Sequence, residues 1–323
     1  MLPPLTFQPI LKRIRWGGRR LGTLLHKQIG EACDYAESWE IADHADGQSL
    51  VADGPLAGQS LSSLIRNHGQ DLLGRQSLGS QFPLLIKFLD AHDWLSLQVH
   101  PDDRLAKQFN PSENGKTEAW VIIDSQPDSQ IAAGLRAGVT SEEFCEALRN
   151  GTVESCLNVI SVKPGDCIIV PAGTVHALGP GIVLAEVQQQ SNLTFRLFDW
   201  GRVDASGKPR PVHVEESLAC TDFTRGPVAA VEPVQLCDSS HPFEELVRCE
   251  HFVIRRHRFL DPIRISTDDR FRVLIGLNGS AVVKSKYGNA QMPVATTVLL
   301  PACSGVTQVI PTGPVTMLEV LCP

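Results

Sequence analysis

Short stretches of alternating apolar and polar side chains, each broken off by proline or glycine, recur along this chain. The alternation has a period of two, which puts successive side chains on opposite faces of a strand. LSLQVH (95–100), TEAWVIID (117–124), CIIVPAGTVHAL (167–178), IVLAEVQQQ (182–190) and LTFRLFD (193–199) read this way, and PLLIKFLD (83–90) reads as a buried strand. A second set follows: HFVIRRHRF (251–259), FRVLIGLNGSAVV (271–283), TTVLLPA (296–302) and VTMLEVL (315–321). With 22 prolines and 26 glycines against few helical patterns, the class is mainly β. Two helices are expected: an insertion over 58–75 starting near Ser60, and 140–150 with Thr140 or Ser141 as N-cap and acids in its first turn. Residues 203–245 carry Pro209, Pro211, Pro227, Pro233 and Pro242 and place a boundary between domains of 1–225 and 226–323.

The formal charge of −7 gives a nucleic-acid partner little electrostatic support. Neither a signal-peptide core nor an apolar run of membrane-spanning length is present, so no membrane partner is expected. Nine cysteines without a CxxC pair suit reduced thiols in a cytoplasm, with Cys167 and Cys322 as small core residues.

The stretch LSLQVHPDD holds the most informative polar residues. Leu95, Leu97 and Val99 alternate with Ser96, Gln98 and His100, and Pro101 ends the ladder. A polar stripe on a buried strand is costly unless something binds it. Glu118 opens the strand in GKTEAW, and His176 follows the turn residues Gly165, Pro171 and Gly173. Two imidazoles, a carboxylate and an amide oxygen suit a divalent borderline metal, zinc first and iron, manganese or cobalt after it. Taken singly, each is ordinarily a hydrogen-bonded or ion-paired structural residue; their order and spacing argue otherwise.

The run from Gly165 to His176 resembles the second cupin motif, and QVH with a downstream Glu resembles a variant of the first. WGG, AESWEIADH, LSLQVHPDD, GKTEAW, VPAGTVHAL and EVQQQSNLTFRLFDWGR occur here in the order found in type I mannose-6-phosphate isomerases, especially the short bacterial form. The resemblance covers most of residues 7–225. It implies cupin-type jelly-roll barrels with a helical insertion, the second barrel smaller and without a metal site.

It further implies one zinc ion per chain on Gln98, His100, Glu118 and His176, with Arg196 catalytic. By the same resemblance Lys116 is a substrate contact and candidate proton shuttle. Ser96 and Arg202 fall at the phosphate end, and Glu37 and Glu186 line the pocket. The implied reaction interconverts D-mannose 6-phosphate and D-fructose 6-phosphate through a cis-enediol(ate), in a monomer or homodimer. One departure is Asn192, where many members carry an acid. The rivals are another metal-dependent cupin enzyme and a non-catalytic regulator that binds sugar phosphates; loss of a ligand or of Arg196 would favour the regulator, and none is lost.

Overall fold

The computed structural model describes every residue except 77, 78, 80, 204, 205 and 238–240. Its strands form two sandwiches, and every strand pairing between them is antiparallel. The first sandwich faces a six-stranded sheet against a five-stranded one. The six run in the order Cys167–Val170, Glu118–Ser125, Ile182–Gln189, Leu84–Ala91, Tyr35–Ile41, Ile10–Gly18. The five are Leu157–Ser161, Gln130–Leu135, His176–Leu178, Leu97–Val99 and Phe195–Phe198. The second sandwich has a seven-stranded sheet, with Val253–Phe259, Arg272–Asn278 and Val315–Leu321 at its centre, against a four-stranded sheet. At one edge of the seven, Leu5–Thr6 pairs with Thr297–Leu300, so the first residues of the chain are bonded to nearly the last.

Alternation along the strands assigns each sheet two apolar faces. Trp120, Ile122, Leu184, Leu89 and Ile168 fill the first sandwich from the six-stranded side and meet Ile131, Ala133 and Leu178 of the five. The outward side chains of the six, Ile86, Phe88, Val121 and Val183, pack with Ile254, Val273, Leu299, Leu318 and Val320 of the seven. The two large sheets thus lie back to back across one continuous core. The outer face of the five is covered by helices, Phe144 and Cys220 packing on Leu97, Val99 and Leu197.

Both expected helices form. Ser60 accepts the Ser63 amide at the start of Leu61–Leu73. The chain leaves that helix through Gly74, at φ +61°, where a Cβ would sit 2.2 Å from the Asp269 carbonyl. Thr140 and Glu143 close a capping box on Ser141–Asn150, which ends on left-handed Gly151. Two further helices longer than a single turn, Asp103–Phe109 and Val214–Cys220, form where no helical pattern was expected. The first has the Asp102 carboxylate accepting the Leu105 amide, so PDD both ends a strand and starts a helix.

The opening strand is shorter than its alternation suggests. It spans Leu97–Val99, and Leu95 packs inside the sandwich with Leu178 and Trp120 rather than outside with Leu97. Its carbonyl accepts the Trp200 indole at 2.6 Å and its amide donates to Leu178, so it never joins the ladder with Phe195–Phe198. None of the nine cysteines is joined in a disulfide among the described residues. Among the described residues no helix is long and apolar enough to cross a membrane.

Candidate active site

Three strands bring the ligand-type residues together inside the first sandwich. Gln98 lies opposite His176 on one side and Arg196 on the other, so all three project from the inner face of the five-stranded sheet. Glu118 projects from the facing sheet, and His100 leaves the end of the Leu97–Val99 strand. His100, Glu118 and His176 are fully buried, and their nearest ligand atoms all lie within 4.8 Å of one another. No other such group of histidine, cysteine and carboxylate occurs among the described residues.

Each imidazole is held from behind. The Leu193 carbonyl accepts from His100 Nδ1 at 3.0 Å, and the Thr174 carbonyl accepts from His176 Nδ1 at 2.9 Å. Both Nε2 atoms are thereby turned toward Glu118, at 3.5 and 3.4 Å. Backing a ring nitrogen with a carbonyl fixes the tautomer a metal needs. Burial, reinforced by the Lys116 charge, pushes the His100 pKa down to about 3, and burial lowers that of His176, so both rings are neutral. Burial works to raise Glu118, but the Lys116 ammonium overcomes it and holds the group well below the usual carboxylate range. Neither Glu118 oxygen receives an aligned hydrogen bond, although Lys116 Nζ sits 2.8 Å from Oε2. A buried carboxylate with open lone pairs between two neutral imidazoles is a donor set that fits a divalent cation. Gln98 Nε2 lies 3.2 Å from His176 Nε2, and a half-turn of the amide presents its oxygen there instead.

Lys116 touches two of these groups, with Nζ 3.1 Å from His100 Nε2 as well as beside Glu118. Glu37 and Glu186 gather around Lys87, a charged side chain in the middle of a buried strand. Its Nζ is 3.0 Å from Glu186 and 3.7 Å from Glu37 and faces the Trp39 ring at 5.4 Å. Burial works to lower the Lys87 pKa, but the two carboxylates raise it on balance. Burial raises Glu186, so its charge depends on Lys87. Trp120 joins the two clusters, donating its indole N–H to Glu186 at 3.3 Å and meeting the His176 ring edge-on at 5.5 Å. The signal for Lys87 was present as the one charge within LLIKFL, a strand buried along its whole length.

Arg196 is half-buried. One guanidinium nitrogen donates to the Pro211 carbonyl at 2.8 Å, and its Nε is buried without a partner. Burial and the nearby Arg210 lower its pKa, though a guanidinium stays charged. Ser96 is buried, and no described residue bonds its hydroxyl. Arg202 donates to the carbonyl of Trp94 and to Asp93 at 3.1 Å, residues that shortly precede Ser96 in the chain. Asn192 donates to Asp46 at 2.7 Å in a network that also ties His44, Glu113 and Ser191.

Paired antiparallel sandwiches with a buried His–Glu–His cluster between the inner faces of the first define a cupin with a centre that could hold a metal ion. A sequence profile of the catalytic domain of type I phosphomannose isomerase matches residues 5–118. Mannose-6-phosphate isomerase ManA of Bacillus subtilis is 43% identical over 219 residues, 67% of each chain. The mannose-6-phosphate isomerase of Streptococcus mutans is 39% identical over 68% of this chain and 67% of that one. The crystal structure of a mannose 6-phosphate isomerase from Bacillus subtilis superposes with a TM-score of 0.90 over 99% of both chains at 29% identity. The chain belongs to the type I phosphomannose isomerases.

Proposed function

We propose that this chain interconverts D-mannose 6-phosphate and D-fructose 6-phosphate, with zinc as its metal, in the cytoplasm. The observation that carries the reading is the pairing of Gln98 with His176 on one side and Arg196 on the other. It sets ligand-type side chains and a guanidinium on one buried wall. A divalent ion held by His100, Glu118, His176 and Gln98 would supply Lewis acidity toward the sugar oxygens.

The chain's own residues do the rest. Arg196 offers a fixed positive charge where negative charge builds on the enediolate oxygens. Lys116 lies beside two of the ligand residues and is the group that holds or passes the proton moved between C1 and C2. The Lys87–Glu186–Glu37 cluster, walled by Trp39 and Trp120, orients sugar hydroxyls. The phosphate, whose binding holds the reacting carbons in place, sits at the end of the site marked by Ser96 and Arg202.

The test is a coupled assay on mannose 6-phosphate, with and without a chelator, followed by addition of zinc, iron, manganese or cobalt. Turnover abolished by chelation and restored best by zinc is expected. A folded, metal-loaded protein that leaves mannose 6-phosphate unchanged would sink the reading.

A further inference from the structure

Beyond the end of the Phe195–Phe198 strand, one buried carboxylate organises two guanidinium groups. Asp199 accepts from Arg202 Nη2 at 2.6 Å and from Arg210 at both Nε, 2.8 Å, and Nη2, 2.5 Å. The chain returns past this point: Val203 bridges Pro209, and the Pro211 carbonyl takes the Arg196 guanidinium. Arg196, Arg202 and Arg210 therefore converge at one end of the strand that carries Arg196, with Asp199 between two of them.

The two outer arginines differ in what they have left to give. A guanidinium has five N–H donors. Arg202 spends four: Nε on the Asp199 carbonyl, both on Nη1 on Asp93 and the Trp94 carbonyl, and one on Nη2 on the Asp199 carboxylate. Arg210 spends two, both on Asp199, and keeps Nη1 entirely uncommitted among the described residues. A phosphate monoester dianion needs several charge-assisted donors at once. Arg202, clamped as it is, has one to offer.

Resting on the activity proposed above, we propose that Arg210 is the principal guanidinium for the substrate phosphate, and that Asp199 is a positioning residue that aims it. Arg202 then serves mainly as the strut that fixes Asp199 to the Asp93–Trp94 turn. Charge alone and positioning make opposite predictions for Asp199. Removing its carboxylate adds one net positive charge, which by itself tightens phosphate binding; losing the fork that orients Arg210 loosens it.

The experiment measures KM for mannose 6-phosphate, the Kd of inorganic phosphate by calorimetry and the melting temperature, on wild type, Arg210→Gln, Arg210→Lys and Asp199→Asn. Arg210→Gln should raise both KM and the phosphate Kd by about tenfold or more, the effect of losing one charged hydrogen-bonding partner. Asp199→Asn should raise both as well. Arg210→Lys keeps a charge beside Asp199 and should raise both by a smaller factor; it carries the test if the glutamine variant does not fold. Unchanged KM and Kd in either folded Arg210 variant overturns the assignment, and a lowered Kd in Asp199→Asn overturns the positioning role. A wild type that binds phosphate through Arg210 but does not turn over mannose 6-phosphate removes the activity and leaves the arginine assignment. Turnover with a KM indifferent to Arg210 does the reverse.

Discussion

Gln98 and His176 face each other across an antiparallel pair, with amide nitrogen and imidazole Nε2 3.2 Å apart. Because strands carry both, their separation is set by ladder hydrogen bonds and not by a flexible loop. Groups held this way keep their geometry whether or not a metal is bound.

The metal prediction follows from that rigidity. His176→Ala should fold and lose metal, since a ligand set short of one imidazole binds far more weakly. Wild-type protein should melt lower after chelation and recover on adding zinc, because an ion that binds only the folded state stabilises it. Elemental analysis and melting curves on the same preparations decide the matter; full metal content in the variant would exclude His176 as a ligand.

For Arg196, substitution by alanine should lower kcat by about two to three orders of magnitude, the range for losing one preorganised donor. KM should move less, because the neutral ground state gains little from that charge. Lysine should rescue only in part, as a point charge lacks the planar fork. Near-normal kcat in a folded, metal-loaded Arg196→Ala protein removes the residue from the mechanism.

Lys87→Met should destabilise the fold by about 3 kcal/mol or more, because it strands buried carboxylates without their cation. The loss should depend on pH in a definite direction. Glu186 already has a raised pKa, and without Lys87 it rises further. A carboxyl whose folded pKa exceeds its unfolded value loses stability as pH climbs above the unfolded value near 4.5. Denaturant melts should therefore show a greater deficit at pH 8 than at pH 5; a deficit that is flat with pH would mean that Glu186 does not take up the proton.

A separate acid sensitivity lies between the sandwiches. Arg256 donates to Glu244 at 2.5 Å and to the Gly165 carbonyl at 2.6 Å, tying the second sandwich to a turn of the first. Burial favours the neutral acid, but the hydrogen bonds from Arg256 and Arg258 prevail and hold the Glu244 pKa at about 2. Stability from this group is fully present above pH 4.5 and is lost as pH falls toward 2. Glu244→Gln should lower the melting temperature at neutral pH and flatten its fall across that window. An unaltered acid limb would show that the pair contributes nothing.

What was legible in the sequence had a local cause. Alternation and Pro/Gly turns exposed Gln98, His100, Glu118 and His176, because period and punctuation are properties of neighbouring residues. Leu95 broke its own pattern because Trp200, far along the chain, takes its carbonyl. Lys87 looked like core since its strand is buried on both faces, and only the partners Glu186 and Glu37 reveal a charged cluster. Arg210 carried no local mark at all. Its place depends on Asp199 and on the return of the chain beside Arg196.

The pairing of Leu5–Thr6 with Thr297–Leu300, and of the two large sheets back to back, bears on how the chain is made. On a ribosome Leu5–Thr6 is made nearly three hundred residues before the strand it pairs with. Ile86, Phe88, Val121 and Val183 stay uncovered until the strands from Val253 to Leu321 have followed. At ordinary elongation speeds that interval is on the order of ten seconds. The nascent protein carries a broad apolar sheet face through all of it, the kind of surface that invites association with other chains until the second sandwich closes over it.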